Sequence, residues 1–146
     1  MEIIRAASEQ VDLIAPLFDQ YRQFYKYASD LVGARRFLNE RLKNRESVIF
    51  LAVEGDEALG FTQLYPTFSS TTLRPMWILN DLFVAPARRK SGVARALMMR
   101  ARQFGMEHQA VELMLETATD NLNAQRLYES LGWKRDTEFY TYHLHL

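Results

Sequence analysis

The apolar residues of the chain recur with two different periods, and their order predicts alternating strands and helices. In the first half, helical spacing predicts one helix over 11–25 and a second that begins at Asp30 and ends near residue 42, because an aspartate can cap a helix start. Short apolar runs predict strands at 3–4, 48–53 and 58–65. A turn with a glycine separates the last two, so we expect them to pair as an antiparallel hairpin.

The second half is built around a strand–helix–strand unit. Its predicted elements are a strand at 76–84, a helix at 93–108, a strand at 111–115, a helix at 121–131 and final strands at Trp133 and 139–144. Thr119 or Asp120 is expected to cap the last helix and Gly132 to end it. A helix between two strands favours parallel pairing, whereas the earlier hairpin is antiparallel. The pattern therefore predicts an α/β fold with a mixed central sheet flanked by about four helices.

Composition narrows the class of protein. The 146 residues suffice for one domain with a core, and no repeat or linker interrupts them, so we expect a single domain over 1–146. Eighteen basic residues balance eighteen acidic ones, which disfavours nucleic acid as a partner. The absence of cysteine excludes disulfides, thiolate catalysis and cysteine-based zinc sites. Without a run of apolar residues long enough for a membrane span, or the features of a signal peptide, the chain is expected to be cytoplasmic with no membrane partner.

A basic turn follows the predicted strand at 76–84 and leads into a helix. Residues 88–90 are Arg-Arg-Lys, and the residues after them, Ser91, Gly92 and Ala94 among them, are mostly small. The N–H groups at a helix start attract anions, and small residues let a phosphate approach the backbone. The segment is neither a Walker loop nor a dinucleotide fingerprint. It therefore predicts either a phosphate-binding turn or an ordinary solvated basic turn.

The same turn resembles the coenzyme A signature of the GNAT superfamily of N-acetyltransferases. Residues 89–94 are similar to that family's Arg/Gln-x-x-Gly-x-Gly/Ala, and residues 82–84 are similar to the strand that precedes it. The resemblance implies a GNAT fold, in which backbone amides of the turn hold the pyrophosphate of acetyl-CoA and the strand borders its pantetheine arm. The residues implied in this binding are Leu82, Phe83, Val84, Arg89, Lys90, Ser91, Gly92, Val93 and Ala94.

A second motif lies one helix and one strand later. Residues 121–133 resemble the family's Asn-x-x-Ala-x-x-Leu-Tyr followed by Leu-Gly-Phe/Trp. The resemblance implies that Asn121 hydrogen-bonds the pantetheine arm and that Tyr128 protonates the departing thiolate. A phenol with an ordinary pKa of about 10 can fill that role. Tyr128 also shares one apolar helical face with Ala124 and Leu131, so a position in the core is the alternative.

The catalytic base remains open from the sequence. Many relatives that acetylate polyamines carry a glutamate in the central strand, and Asn80 stands at that position, where an amide cannot accept a proton. Asp81 or Glu116 can serve through water, and either can instead pair with a basic side chain or cap a turn. The strands around these residues resemble the histone/polyamine-acetyltransferase-like branch, which implies an amine acceptor that is a small molecule or a peptide.

Acceptor specificity in this family comes from the first two helices and the hairpin loop. In this chain those segments carry aromatic residues and carboxylates, which suit a cationic amine through cation–π attraction and ion pairing. Phe24 and Phe61 are more typical of a core. The candidate acceptor-binding residues are Tyr25, Tyr65, Asn80, Asp81 and Glu116.

Together these observations favour an enzyme that transfers an acetyl group from acetyl-CoA to an amine by direct attack in a ternary complex. The alternative, supported by Asn80, is a non-catalytic coenzyme A-binding regulatory module. His143 and His145 alternate on the predicted last strand without a third ligand, so no metal is expected. The apolar segment 138–146 predicts a homodimer formed through the edge of that strand.

Overall fold

A five-stranded sheet in the order β1-β2-β3-β4-β5 forms the centre of the first part of the chain. Its strands are β1 (Glu2–Arg5), β2 (Val48–Glu54), β3 (Glu57–Ser69), β4 (Arg74–Val84) and β5 (Leu113–Met114). The first four pair antiparallel, and β5 pairs with β4 in parallel, so the predicted mixed sheet is confirmed. The computed structural model describes all 146 residues, and they form two compact units, 1–115 and 116–146.

Three helices belong to the first unit, and they cover both faces of the sheet. They are α1 (Val11–Phe24), α2 (Leu31–Lys43) and α3 (Val93–Glu107). α1 and α2 pack on one face in a cluster that includes Phe18 and Phe61. α3 lies on the other face, where the Phe104 ring centre is 5.8 Å from that of Phe50 and 4.8 Å from that of Trp77. Each fully buried side chain of this size contributes about 1.5–3 kcal/mol, so the two layers hold the sheet firmly.

The start of α2 is formed as the sequence predicts. Asp30 is its N-cap, and the Oδ1 atom of Asp30 accepts a hydrogen bond from Gly33 N at 2.9 Å. The loop before it is tied to α1 by Asp19, a buried residue whose carboxylate accepts hydrogen bonds from Ser29 Oγ at 2.6 Å and Asp30 N at 2.8 Å. These hydrogen bonds hold the pKa of Asp19 below its usual value. The α1–α2 loop therefore has a defined conformation.

The second unit, 116–146, contains α4 (Leu122–Ser130). Its N-cap is Asn121, whose Oδ1 accepts a hydrogen bond from Ala124 N at 3.3 Å, so the prediction of Thr119 or Asp120 as the cap is wrong. Asparagine is as suitable an N-cap as threonine or aspartate, because its side-chain oxygen also accepts a hydrogen bond from the free N–H groups of the first turn. Gly132 follows the helix with a φ of 93°, the left-handed conformation typical of a helix end. No helix in either unit has the length and apolar character needed to cross a membrane.

The predicted strands near the C-terminus are largely absent. β5 covers only Leu113–Met114 instead of 111–115, and neither of its residues is buried. No strand forms at Trp133 or over 139–144. The apolar residues of the closing segment are between 79% and 115% exposed; they are Phe139, Tyr140, Tyr142, Leu144 and Leu146. Alternating apolar residues permit an amphipathic strand, but a strand forms only where a neighbour satisfies its backbone groups.

A bulge interrupts β4 at Asn80. Gln63 and Leu64 of β3 lie opposite Asp81 and Leu79, so Asn80 has no partner in the ladder. In a regular strand Leu79 and Asp81 would share one face, because side chains alternate with a period of two. The bulge instead turns Asp81 to the face of Gln63, which is the face that α1 and α2 cover.

Candidate active site

The turn between β4 and α3 has the backbone of an anion-binding site. Lys90 and Gly92 have φ values of 63° and 86°, and Gly92 is the N-cap of α3. The N–H groups of Ser91 and Gly92 donate to no other backbone group, and those of Val93 and Ala94 lie in the first helical turn, where no intrahelical acceptor exists. A Cβ atom added at Gly92 would meet no atom within 4 Å. These free donors beside open space can bind a phosphate group.

The three basic residues of this turn differ in their availability. Arg88 forms ion pairs with two glutamates of the sheet, because its Nη2 lies 2.5 Å from Glu57 Oε2 and 3.6 Å from Glu54 Oε1. Arg89 folds back along β4 and donates from Nε to the backbone oxygen of Val84 at 3.2 Å. Lys90 is exposed and forms no ion pair. Of the three charges, that of Lys90 is therefore available to a ligand without breaking another contact.

Gly60 of β3 allows close contact between β3 and the two elements that flank this turn, β4 and α3. The sequence did not indicate this role. A Cβ atom at Gly60 would lie 2.8 Å from Phe83 O, 3.2 Å from Val84 Cα and 3.2 Å from Val93 Cγ1. Such short contacts with backbone atoms cannot be relieved by rotating a side chain. Only glycine therefore lets β3, the end of β4 and the start of α3 meet here. Along the end of β4, Phe83 and Val84 are buried and Leu82 is half-buried.

A buried carboxylate lies near the end of the same strand. Asp81 is 4% exposed; its Oδ2 accepts a hydrogen bond from Gln63 Nε2 at 2.6 Å, and its Oδ1 accepts one from Asn80 Nδ2 at 3.1 Å. Burial raises the pKa of Asp81, and the hydrogen bonds from Gln63, Tyr21 and Asn80 oppose that rise without cancelling it. Asp81 is thus a carboxylate with an increased affinity for a proton.

The side chains around Asp81 can form hydrogen bonds with both its ionised and its protonated form. Gln63 is fully buried, and its Oε1 has no hydrogen-bond partner while its Nε2 donates to Asp81. Once Asp81 is protonated, rotation of the Gln63 amide lets Oε1 accept the new O–H group. Burial and the Asp81 carboxylate raise the pKa values of Tyr21 and Tyr65, so both phenols remain neutral.

A cavity of about 270 Å³ opens beside Asp81, within the first unit. It is lined by Tyr21, Arg22, Tyr25, Tyr27, Asn80 and Asp81. Three of the candidate acceptor residues, Tyr25, Asn80 and Asp81, are therefore brought together. Tyr65 is half-buried on β3 and does not line the cavity, and Glu116 is an exposed residue of the second unit.

The cavity also contains Tyr27, one of the aromatic residues expected to bind the acceptor, and Arg22, which the sequence did not single out. Arg22 and Tyr27 belong to the end of α1 and the loop after it, and Asp19 holds that loop in place. The only available signal was an arginine within an aromatic segment. Phe24, expected in the core, is 56% exposed, whereas Phe61 is fully buried as expected.

The second motif lies in the unit 116–146. Tyr128 is half-buried on α4, and no residue of that helix is fully buried, so the alternative of a core tyrosine is wrong. Its ring centre lies 6.3 Å from that of Trp133, and Trp133 N donates a hydrogen bond to Tyr128 O at 3.0 Å. Asn121 uses its side-chain oxygen to cap α4. Both residues of the motif thus have defined positions on one short helix.

Comparison with known proteins identifies the family. The family model described as "Acetyltransferase (GNAT) family" matches residues 14–133. An uncharacterized N-acetyltransferase of Bacillus subtilis, YhfO, is 47% identical over 146 residues, which are all of this chain and 98% of that protein. The crystal structure of a probable acetyltransferase has a TM-score of 0.95 at 46% identity, and the match covers 100% of this chain and 98% of that one.

A more distant structure shares the fold and contains the coenzyme. It is an aminoglycoside N-acetyltransferase in complex with CoA, with a TM-score of 0.82 at 20% identity, covering 99% of this chain and 95% of that one. At that identity the likeness concerns the fold alone. The family model and the Bacillus relative show the family as well as the fold, because they match most or all of the chain. The chain therefore belongs to the GNAT family and is an N-acetyltransferase.

Proposed function

We propose that the protein transfers the acetyl group of acetyl-CoA to an amine by direct attack of that amine in a ternary complex. The observation that carries the proposal is the pairing of two features on β4. The anion-binding turn begins where the strand ends at Val84, and the buried carboxylate of Asp81 precedes that end by three residues. Three residues of a strand span about 10 Å, so one rigid element connects a binding site to a proton acceptor.

The turn and the end of β4 would hold acetyl-CoA. The N–H groups of Ser91, Gly92, Val93 and Ala94 would bind its phosphates, and Lys90 would add positive charge. When bound, acetyl-CoA supplies an acyl group already activated as a thioester. Residues 82–84 would border the pantetheine arm, as the resemblance to the family implies.

Asp81 is the proposed proton acceptor, in place of the glutamate that Asn80 replaces. As the amine nitrogen forms a bond to the acyl carbon and the carbon–sulfur bond breaks, the nitrogen loses a proton. Asp81 lines the cavity, and its raised pKa makes it a better acceptor than an exposed aspartate. Its partner Gln63 can then accept the added proton in a hydrogen bond, with rotation of its amide.

Tyr128 is the proposed proton donor to the departing thiolate, and Asn121 the proposed partner of the pantetheine arm. Both roles rest on the motif at 121–133. With the proton from Tyr128, the products are an amide and a thiol, and Asp81 and Tyr128 exchange their protons with water afterwards.

The proposal covers the whole chain as one acetyltransferase domain over 1–146. It is supported by the family model, whose match at 14–133 extends across the boundary between the two units. We further propose that the protein is cytoplasmic and that a second copy pairs with the exposed apolar segment 139–146 to form a homodimer. The strict alternation of Tyr140, Tyr142, Leu144 and Leu146 supports strand pairing there.

Release of CoA from acetyl-CoA, monitored with a thiol reagent, tests the function directly. The chain has no cysteine, so the protein itself contributes no background. Turnover with polyamines, amino acids, lysine peptides or aminoglycosides is the expected result. Tight binding of acetyl-CoA without turnover on any of these amines would favour a regulatory module, the function that Asn80 supports. Failure to bind acetyl-CoA would refute both.

A further inference from the structure

The cavity beside Asp81 carries two opposite charges. Of its six lining residues, Arg22 and Asp81 are the only charged ones, and the remainder are three tyrosines and Asn80. A site for a simple cationic amine needs the carboxylate alone. An arginine in the same small cavity would repel such a cation, unless the ligand also carries a negative group.

Arg22 is held in place before any ligand binds. Its Nη1 donates to Ala28 O at 3.0 Å, and its guanidinium lies 5.6 Å from the ring centre of Tyr27. Both contacts are to the α1–α2 loop that Asp19 orders. A guanidinium held in this way loses little side-chain entropy when it binds a carboxylate.

The nearby Asp19 forms only a long ion pair with Arg22. Its Oδ1 lies 3.9 Å from Arg22 Nη1, which is beyond hydrogen-bonding distance. The shorter contacts of Asp19 are to Ser29 Oγ and Asp30 N. Arg22 has five N–H donors, of which only one is used by Ala28, so it can still bind an anionic group in two places at once.

We infer that the acetyl acceptor is a compact amino carboxylate, such as a free amino acid, whose amine lies at Asp81 and whose carboxylate binds Arg22. This inference rests on the proposed function and names its substrate class. The cavity volume of about 270 Å³ lies just below the roughly 300–1,000 Å³ typical of sites for drug-sized molecules, which suits a smaller molecule of amino-acid size. The tyrosine rings would pack against its carbon chain.

Pairs of amines that differ only in one carboxylate test this inference. L-lysine is compared with cadaverine, and L-ornithine with putrescine, for the wild type, Arg22→Gln, Arg22→Lys and the control Arg35→Gln. Arg35 is an exposed arginine of α2 that pairs with Asp12 and does not line the cavity. Thermal melting of each variant verifies folding.

We expect higher kcat/KM for the amino acid of each pair. Arg22→Gln should lower kcat/KM for the amino acids about 10- to 100-fold, because a charged hydrogen-bonding group is lost. The same variant should not lower kcat/KM for the diamines by a comparable factor, because they have no carboxylate for Arg22 to bind. Arg22→Lys should restore part of the activity, since it keeps the charge without the planar donors, and Arg35→Gln should match the wild type.

The outcomes separate this inference from the proposed function. Turnover of the diamines at rates equal to or above those of the amino acids overturns the inference and leaves the proposed function intact. If no amine is acetylated, binding of L-lysine and L-ornithine to the protein saturated with CoA is measured by calorimetry. Binding that Arg22→Gln weakens supports the inference, and the absence of binding overturns it.

Discussion

Replacing Asp81 by asparagine tests two properties of this carboxylate, its role as a proton acceptor in catalysis and its effect on the stability of the fold. The two side chains have the same shape, but the amide cannot accept a proton. If Asp81 takes the proton from the amine, Asp81→Asn should lower kcat by about 10²–10⁴-fold, the usual contribution of a positioned general base. Binding of acetyl-CoA should not change, because the turn at 90–94 is unaltered.

The same substitution should stabilise the fold. Burial raises the pKa of Asp81 above its ordinary value of 3.8, so the folded protein binds this proton more tightly than the unfolded chain does. Stability therefore falls as pH rises between 3.8 and the raised folded value, and above that interval the ionised carboxylate is a net cost. Asparagine avoids this cost, and Gln63 can turn its unpaired Oε1 towards the new amide.

The stability gained by Asp81→Asn depends on two opposing effects on the ionised carboxylate, the cost of its desolvation and the hydrogen bonds that it accepts. Desolvation is the largest influence on the pKa of Asp81, and it exceeds the opposing hydrogen bonds. We expect a gain in stability at pH 8 within the roughly 0.5–3 kcal/mol that single substitutions usually change, and each kcal/mol corresponds to about 2–4 °C in Tm for a chain of this size. Lowering the pH through the interval should remove the gain.

Asp19→Asn provides a matched control with the opposite sign. Asp19 is also buried, but its hydrogen bonds lower its pKa, so its ionised form stabilises the fold above pH 3.8 and this contribution is lost as pH falls. Asp19→Asn should therefore reduce Tm at pH 8. Tm at pH 5 and 8 and initial rates of CoA release from pH 6 to 9 are measured for both variants. An Asp81→Asn enzyme of near wild-type activity would refute the role of Asp81 as the base.

Three further substitutions test other parts of the site. Gly92→Ala should lower the free energy of unfolding by about 1 kcal/mol, because alanine is strained at a φ of 86° even though its Cβ meets no other atom. The added methyl group should also weaken acetyl-CoA binding at least about tenfold in calorimetry, because it occupies the open space beside the free N–H groups. Unchanged affinity would argue against phosphates at this turn. Tyr128→Phe should lower kcat by about 10²–10⁴-fold without changing acetyl-CoA affinity, and full activity would remove Tyr128 from the mechanism. Deleting 139–146 should convert a dimer into a monomer in light scattering, whereas a monomeric full-length chain would contradict the proposed pairing.

Much of the first unit could be predicted from the sequence, because its elements carry strong local signals. The apolar run at 48–53 corresponds to β2 within one residue, and the aspartate cap predicted for α2 at Asp30 is formed. The start of α3 at Val93 follows from the small residues before it. In each case the residues that define the element lie within a few positions of each other.

The features that were missed depend on contacts between distant residues. The bulge at Asn80 arises from the pairing of β4 with β3, and nothing in the local pattern of β4 distinguishes it from a regular strand. Arg22 becomes part of the cavity only because β4 brings Asp81 beside α1. The absent strand at 139–144 shows the reverse case, in which a suitable pattern lacks a partner.

The bulge at Asn80 makes this position tolerant both of a change in side chain and of the loss of the residue. The Asn80 side chain is exposed, so many residues can stand there at a modest cost in stability. Deleting the residue would make Leu79 and Asp81 neighbours, and regular alternation would leave them on opposite faces, still opposite Leu64 and Gln63 of β3. Asp81 would therefore keep its place beside the cavity, but it would lose the hydrogen bond from Asn80 Nδ2. Among related sequences, we therefore expect strands with and without a residue at this position, and the same two faces for Leu79 and Asp81 in both.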